Sequence, residues 1–385
     1  MTNASTRRTV IFAGGGTGGH LFPGIAVARE LLAREPDARV LFVGSQKPIE
    51  LDIVGSAGFE HVALPSVSPS LTPTHISSSL LRNWQAYRQA RAIMARERPN
   101  VVVGLGGFAS VPPVLAAWRA GVPIVLLEQN VVPGKATRWL SRFADTICLP
   151  WAETAKHLSP RIRAVVTGNP LRSEITKLAE PTHPDAPARA GDEPASLARR
   201  VSLETPTLLI LGGSQGAASL NAAVLDALAT LQTELAGWRI VHQTGAADLD
   251  AIRQRYAALS LAADVQPFFR DMAEQYRRAT CVLSRAGATT LAELACAGLP
   301  ALLVPLPTSA HDHQRLNARL FADRSAALVV EPSSPASDSL RASLVQLLSD
   351  QPLRERLRRN LRVLARPQAA SAVVEILRER SISEA

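Results

Sequence analysis

Near its amino terminus the chain reads Thr9-Val10-Ile11-Phe12-Ala13-Gly14-Gly15-Gly16-Thr17-Gly18-Gly19-His20-Leu21-Phe22-Pro23-Gly24. Thr9 to Ala13 is short, apolar and rich in β-branched residues, as suits a strand covered on both faces. It runs straight into glycines, and from about Gly24 the sequence turns helical. Strand, glycine turn and helix in that order open a βαβ unit and predict a parallel sheet.

The same alternation extends outward from this stretch. Further strand-like runs are Arg39 to Val43, Val101 to Gly104 and Ile124 to Leu127, and the pattern restarts with Thr207 to Leu211, Arg239 to Gln243, Val282 to Ser284 and Ala301 to Val304. A chain of 385 residues exceeds one domain of roughly 150. The expected architecture is α/β, with two Rossmann-like doubly wound domains. Residues 1–168 form the first and residues 169–350 the second, and residues 351–385 are a helical segment expected to pack back on the first domain. The stretch 181–205 carries Pro181, Pro184, Pro187 and Pro194 without a periodic apolar face, and reads as an exposed insertion. From Pro352, Leu353, Leu357, Leu361 and Leu364 fall at helical spacing between arginines, which predicts an amphipathic surface helix.

Apolar residues make up 46%, charged residues 19%, and mean hydropathy is +0.07, so the chain has ample material for cores and no disordered character. Lys+Arg 42 against Asp+Glu 33 gives +9, nearly all of it arginine, since the lysines are Lys47, Lys135, Lys156 and Lys177. No RNP-like, zinc-finger or basic-region pattern accompanies that charge, so no nucleic-acid partner is expected. Cys148, Cys281 and Cys296 lie far apart in apolar sequence and read as buried thiols rather than disulfides or zinc ligands. No run reaches the roughly 18 to 20 apolar residues of a spanning helix, so any membrane contact is expected to be peripheral.

Glycines at a strand-to-helix turn let a ligand approach the backbone and leave amides pointing at an anion. Gly14, Gly16 and Gly19 fit a dinucleotide fingerprint, but the second strand ends Phe42-Val43-Gly44 without the acid that holds a ribose. The spacing of Gly14 and Gly19 also fits a P-loop, yet His20 stands where that motif needs lysine. His20 reads either as a general base or as a helix-start histidine satisfied by backbone. The second glycine loop, Gly212, Gly213, Ser214, Gln215, Gly216 and Ala217, again separates a strand from a helix. In Ser284 to Glu293, Thr290 and Glu293 have capping-box spacing; Glu293 alternatively grips two vicinal ribose hydroxyls. His311 and His313 flank Asp312, with Gln314 and Asn317 beyond, and polar sugar contacts suit them better than zinc. Asp248 and Asp250 form a D-x-D, which first-turn acids of a helix explain.

Gly14 to His20, Gly106 to Ser110, Glu128-Gln129-Asn130, Gly168 to Arg172, Gly212 to Ala217, Ser284 to Glu293 and Asp312-His313-Gln314 together form an ordered series. This series resembles the bacterial MurG-type N-acetylglucosaminyltransferases, over about Arg8 to Ala327. The resemblance implies the GT-B fold, its two domains facing across a cleft, and an inverting transfer of N-acetylglucosamine from UDP-N-acetylglucosamine to a lipid-linked muramoyl-pentapeptide in peptidoglycan synthesis. It implies no cofactor and no metal, and a peripheral place at the cytoplasmic face of the cell membrane. Carried over by position, Thr17, Gly18 and Gly19 line the donor site, Asn130 lies near the sugar, and Arg172 and Ser214 meet the diphosphate. Phe269 turns its backbone to uracil. Ala288, Thr289, Thr290, Leu291, Ala292 and Glu293 hold phosphate and ribose, and Gln314 meets the N-acetylglucosamine. His20 is the first candidate for the base and Glu128 the second. A UDP-N-acetylglucosamine epimerase of the same architecture is the alternative reading.

A lipid-linked acceptor calls for a membrane-facing surface. Leu80, Leu81, Trp84 and Tyr87 share a helical face with Arg82, Arg88 and Arg91 nearby, and Trp118 adds to it. Such a patch reads as contact with an anionic membrane surface or as ordinary core packing.

Overall fold

The computed structural model describes residues 7–68, 73–179, 205–212, 217–307, 309, 312–331 and 336–382. The proline-rich insertion up to residue 204, Ser214 and His311 lie outside them. The chain divides into two compact units, Met1–Ser173 with Arg366–Ala385, and Glu174–Ala365.

The first unit holds β1 (Thr9–Gly14), β2 (Arg39–Ser45), β3 (Glu60–Leu64), β4 (Val101–Gly106), β5 (Ile124–Leu127), β6 (Thr146–Leu149) and β7 (Ala164–Val166). They form one parallel sheet in the order β3-β2-β1-β4-β5-β6-β7. Alternation along β1 sorts its side chains between two faces. Val10 and Phe12 join a cluster with Leu21, Ile25 and Leu31 of α1 (Gly18–Arg34), while Ile11 and Ala13 join Ala86, Ala90, Ile93 and Met94 of α3 (Pro73–Glu97). Between these helices in sequence lies α2 (Pro48–Ser56), and α4 (Val111–Arg119) and α5 (Lys135–Leu140) follow β4 and β5. Full burial of a Leu or Phe stabilises by about 1.5–3 kcal/mol, so these two layers hold the sheet.

The second unit repeats the plan with β8 (Thr207–Leu211), β9 (Arg239–Gln243), β10 (Ala263–Gln266), β11 (Cys281–Ser284), β12 (Ala301–Leu303) and β13 (Leu328–Val329). Its parallel order, β10-β9-β8-β11-β12-β13, matches that of the first sheet. The helices are α6 (Ala218–Leu228), α7 (Leu249–Ala258), α8 (Met272–Arg278), α9 (Ala288–Ala297), α10 (His313–Ala322), α11 (Ala336–Ser349) and α12 (Gln351–Leu364).

The carboxyl-terminal segment divides. Leu353, Leu357, Leu361 and Leu364 of α12 are buried, and the helix packs on α9 within the second unit. Only α13 (Ala369–Ile382) lies on the first unit, where Val373, Val374 and Leu377 pack with the α1 cluster. Residues 169–173, expected in the second domain, also belong to the first unit. A Cβ on Gly168 would come within 2.4 Å of Arg366 Cβ, so this stretch lies hard against the start of the α13 segment. All three cysteines are buried and free.

Candidate functional site

In both sheets the strand order reverses beside the first strand, between β1 and β4 and between β8 and β11. Doubly wound sheets bind ligands in the crevice beyond the strand ends at this point. Among the described residues, Gly14 to His20, Gly106 to Ser110 and Glu128 to Asn130 follow the carboxyl ends of β1, β4 and β5, and Arg285 to Glu293 follow that of β11.

In the first unit, the register of β1 and β4 shifts at its end, and Gly14 lies opposite Gly106. Gly106 and Gly107 have φ of +93° and +71°, backbone that favours glycine. His20, in the first turn of α1, is half-buried over this bare backbone, and a Cβ on Gly106 would stand 3.3 Å from its Cδ2. Its Nδ1 lies 3.2 Å from the Gly15 carbonyl and 3.4 Å from Thr17 Oγ1. A carbonyl only accepts, so Nδ1 carries the proton and Nε2 keeps its lone pair. Burial lowers the imidazole pKa below its ordinary value, against the opposing pull of Glu128, the Gly15 carbonyl and Glu50. The neutral ring, able to accept a proton, therefore prevails at neutral pH.

Thr17 caps α1 with no side-chain bond to a backbone amide, its carbonyl accepting from the His20 and Leu21 amides. Gly18 is buried, and a Cβ there would meet Phe22 at 2.8 Å; Gly19 is exposed. The amino end of a helix carries partial positive charge that suits an anion. Arg172 lies in this unit, its guanidinium 5.4 Å from the Phe22 ring centroid.

Glu128 is 4% exposed, and its carboxylate is fully engaged. Oε1 accepts from the Gln129 and Asn130 amides at 3.0 and 2.9 Å and from Asn130 Nδ2 at 3.2 Å, while Oε2 accepts from the Gly134 amide at 3.1 Å. It orders the loop that presents Asn130 and places negative charge near His20.

Sequence reading missed Glu50. This α2 residue is fully buried, and it accepts from the Gly16 amide at 2.7 Å, from the Ser45 amide at 2.7 Å and from the Ser45 hydroxyl. A Cβ on Gly15 or on Gly44 would come 2.2 or 2.3 Å from its Oε2. Two of the glycines thus make room for a carboxylate, a signal visible only once β1 and β2 are paired.

In the second unit, α9 begins at Ala288 after Gly287, without a side-chain cap. Thr290 sits inside its first turn, so the capping-box reading fails. Glu293 is 8% exposed and accepts a 2.8 Å bond from the Tyr276 hydroxyl, which sequence reading also missed. Ala288, Thr289 and Thr290 stand half-buried in the first turn, while Leu291 and Ala292 are buried. Phe269 is 7% exposed beside the exposed Phe268. Gln314 Oε1 accepts from the Leu306 amide at 3.0 Å, which fixes the carboxamide beyond β12. Asp248 accepts from Asn221 Nδ2 at 2.8 Å, and Asn221 in turn meets the buried His242 at 3.2 Å. The D-x-D acid is thus tied into a core network. Among the described residues no group of three or more His, Cys, Asp or Glu side chains gathers as metal ligands would.

The predicted membrane face is partly corrected. Leu80, Leu81, Trp84 and Trp118 are exposed by 65, 55, 54 and 51%, and Arg88 stacks over Trp84 at 4.9 Å. Tyr87 instead turns inward and packs with the α3 core stripe. Ile76 and Trp139 are exposed as well. No described helix is long and apolar enough to cross a membrane.

Comparison with known proteins gives consistent results. The family model for the glycosyltransferase family 28 N-terminal domain matches residues 10–149, and that for the C-terminal domain matches residues 207–373. A protein of Trichlorobacter lovleyi, named UDP-N-acetylglucosamine–N-acetylmuramyl-(pentapeptide) pyrophosphoryl-undecaprenol N-acetylglucosamine transferase, is 37% identical over 96% of this chain and 97% of its own length. One of the same name from Nitratidesulfovibrio vulgaris is 40% identical over 96% of each. The crystal structure of Acinetobacter baumannii MurG superposes with a TM-score of 0.73 at 29% identity, over 97% of this chain and 99% of that one. A UDP-GlcNAc 2-epimerase from Neisseria meningitidis shares the fold, with a TM-score of 0.65 at 12% identity over 96 and 100%.

Proposed function

The chain belongs to glycosyltransferase family 28, and from that premise we propose how its residues perform the family's transfer. Its two Rossmann-like domains make a GT-B fold, and it is a UDP-N-acetylglucosamine-dependent hexosyltransferase of peptidoglycan synthesis. It moves N-acetylglucosamine onto the undecaprenyl-diphospho-muramoyl-pentapeptide, converting lipid I to lipid II. An epimerase is not favoured, because the likeness to epimerases extends to the fold alone.

In our reading His20 is the base. The observation that carries it is the Gly15 carbonyl on Nδ1, which leaves Nε2 as the proton acceptor. Nε2 takes the proton of the acceptor's sugar hydroxyl, whose oxygen bonds to the anomeric carbon as the bond to the UDP oxygen breaks, with inversion. Glu128 holds the Asn130 loop and stabilises the imidazolium that forms. Arg172 and Ser214 receive the diphosphate, and the residues Ala288 to Ala292 the phosphate and ribose. Glu293, steadied by Tyr276, takes the ribose, Phe269 the uracil and Gln314 the amino sugar. Preorganised donors of this kind typically contribute about 3 kcal/mol each to the barrier. No metal or cofactor enters the scheme.

We place the protein peripherally at the cytoplasmic face of the membrane, where wall synthesis serves growth, shape and division. Leu80, Leu81, Trp84 and Trp118 enter the interface and Arg82, Arg88 and Arg91 meet anionic headgroups. A nucleic-acid partner has no place in it. The test is His20→Ala: calorimetry with UDP keeps its Kd within about twofold while transfer falls at least tenfold, a loss of about 1.4 kcal/mol or more in transition-state stabilisation. Wild-type turnover in that variant would remove His20 from the role.

A further inference from the structure

We propose that Glu50 is a positioning residue for the transfer: its buried carboxylate holds the Gly15–Gly16 peptide in the orientation that keeps Nε2 of His20 free to accept a proton. The inference rests on the reading of His20 as the base.

One peptide unit links the two side chains. Its N–H, on Gly16, donates to Glu50 Oε1 at 2.7 Å, and its C=O, on Gly15, meets His20 Nδ1 at 3.2 Å. In a planar trans peptide these two groups point in opposite directions, so fixing one fixes the other. A peptide between two glycines is the kind that turns over most easily, because no Cβ flanks it, and Gly16 already lies at φ +98°. Turned over, it would aim its carbonyl at the carboxylate and its N–H at the imidazole. Nδ1 would then have to accept, the ring proton would move to Nε2, and the base would be lost.

Glu50 is built to prevent this. An ionised carboxylate only accepts, so it tolerates the N–H and repels the carbonyl. Burial works to raise its pKa, but His61, Ser45 and the Gly16 amide overcome that and hold it below the ordinary carboxylate value. Its position is fixed by the Ser45 amide at 2.7 Å and the Ser45 hydroxyl, with His61 Nε2 behind it at 3.7 Å. Both ring nitrogens of His61 are buried without a hydrogen-bond partner, leaving Glu50 as the charge that this ring faces. On the far side, a Cβ on Gly107 would lie 2.9 Å from the Gly15 oxygen, so the carbonyl seats against backbone that carries no side chain. The charged groups that act on the imidazole are Glu50 from α2 and Glu128 from the loop after β5. Lys47 reaches over the Phe108 ring, 5.4 Å from its centroid.

The experiment is Glu50→Gln, which keeps the shape but sets an NH2 against an amide donor. Steady-state transfer is measured across pH, together with calorimetry using UDP and nitrogen-15 NMR of the histidines. The expected result is a kcat at least tenfold lower, with the KM for UDP-N-acetylglucosamine and the Kd for UDP within threefold. Glu50 and the Gly15 carbonyl both favour the protonated ring, so losing them moves the acid limb of kcat to lower pH. NMR then finds the His20 proton on Nε2, and Glu50→Asp, which keeps the charge, restores the acid limb. A folded Glu50→Gln with kcat within twofold, an unmoved acid limb and the proton still on Nδ1 would overturn the proposal. If Glu50→Gln does not fold, Ser45→Ala takes its place: kcat falls with KM kept, and an unchanged kcat overturns the proposal. His20→Ala in parallel separates the two ideas. If it keeps full turnover, both fall; if it loses turnover while Glu50→Gln does not, only the positioning role falls.

Discussion

Gly15→Ala puts the packing of the first glycine loop to a quantitative test. The new methyl carbon would stand 2.2 Å from Glu50 Oε2, 2.4 Å from Cδ and 2.7 Å from Oε1. Ordinary contact is about 3.5 Å, so the carboxylate must recede by roughly 1.3 Å. Its bonds to the Gly16 and Ser45 amides, both 2.7 Å, then stretch beyond hydrogen-bond range. Bonds to a charged group contribute about 1.5–3 kcal/mol each, and relaxation recovers part of that, which gives a predicted loss of about 4 kcal/mol. In urea the midpoint should fall by about 1.5 M for a slope of about 2.5 kcal/mol/M. Fluorescence reports this unit selectively, since Trp84, Trp118, Trp139 and Trp151 lie in it and only Trp238 in the other. The decisive arm is a double-mutant cycle. With the carboxylate removed by Glu50→Ala, Gly15→Ala should cost less than about 1 kcal/mol. Gly16→Ala is the control for backbone strain, because φ there is +98° and only Lys47 Nζ, at 4.0 Å, is near. If Gly15→Ala costs the same in both backgrounds within about 0.5 kcal/mol, the steric argument is wrong.

Three further outcomes follow from the geometry. His242 is fully buried between Tyr256 Oη at 2.9 Å and Asn221 Oδ1 at 3.2 Å, and burial depresses its pKa to about 4. The unfolded ring protonates near 6.5, so this contribution is complete above that pH and is lost as pH falls toward 4, amounting to about 3 kcal/mol, to be read from urea midpoints across pH. A second unit whose stability is flat from pH 7 to pH 4 would contradict it. Tyr276→Phe removes the hydroxyl that donates to Glu293 and should raise the KM for UDP-N-acetylglucosamine roughly tenfold with kcat nearly kept; an unmoved KM would show that the hydroxyl does not orient the carboxylate. Trp84→Ser with Leu80→Ser should weaken co-sedimentation with anionic vesicles by roughly tenfold or more, since each side chain can bury about 1.5–3 kcal/mol of apolar surface; unaltered binding would exclude this face as the contact.

The central strands were legible because burial on both faces leaves continuous apolar runs, as in Thr9 to Ala13 or Val282 to Ser284. The strands that escaped notice lie mostly toward the sheet edges: Glu60–Leu64, Thr146–Leu149, Ala164–Val166, Ala263–Gln266 and Leu328–Val329. They are short or carry polar residues, and neighbouring strands define them more than their own pattern does. The α3 face was misjudged at one residue, because the stripe Ala86, Ala90, Ile93 and Met94 sets the core direction and carries Tyr87 partly with it. The capping box misled because the spacing of Thr290 and Glu293 cannot say where the helix begins, and Gly287 starts it three residues before Thr290. Glu50 was invisible for a different reason. Its partners Gly16 and Ser45 meet only when β1 and β2 pair, and nothing within Pro48-Ile49-Glu50 announces a buried carboxylate.

Transfer of the sugar to a lipid-linked acceptor, which we propose needs no added metal, has a direct readout. The most direct measurement follows labelled sugar from UDP-N-acetylglucosamine, with EDTA present, into the organic phase that holds the undecaprenyl-diphospho-muramoyl acceptor. Label appearing there in step with released UDP, and only when acceptor is added, is the predicted result. Label that stays in the nucleotide pool or emerges as an epimerised sugar nucleotide would contradict it.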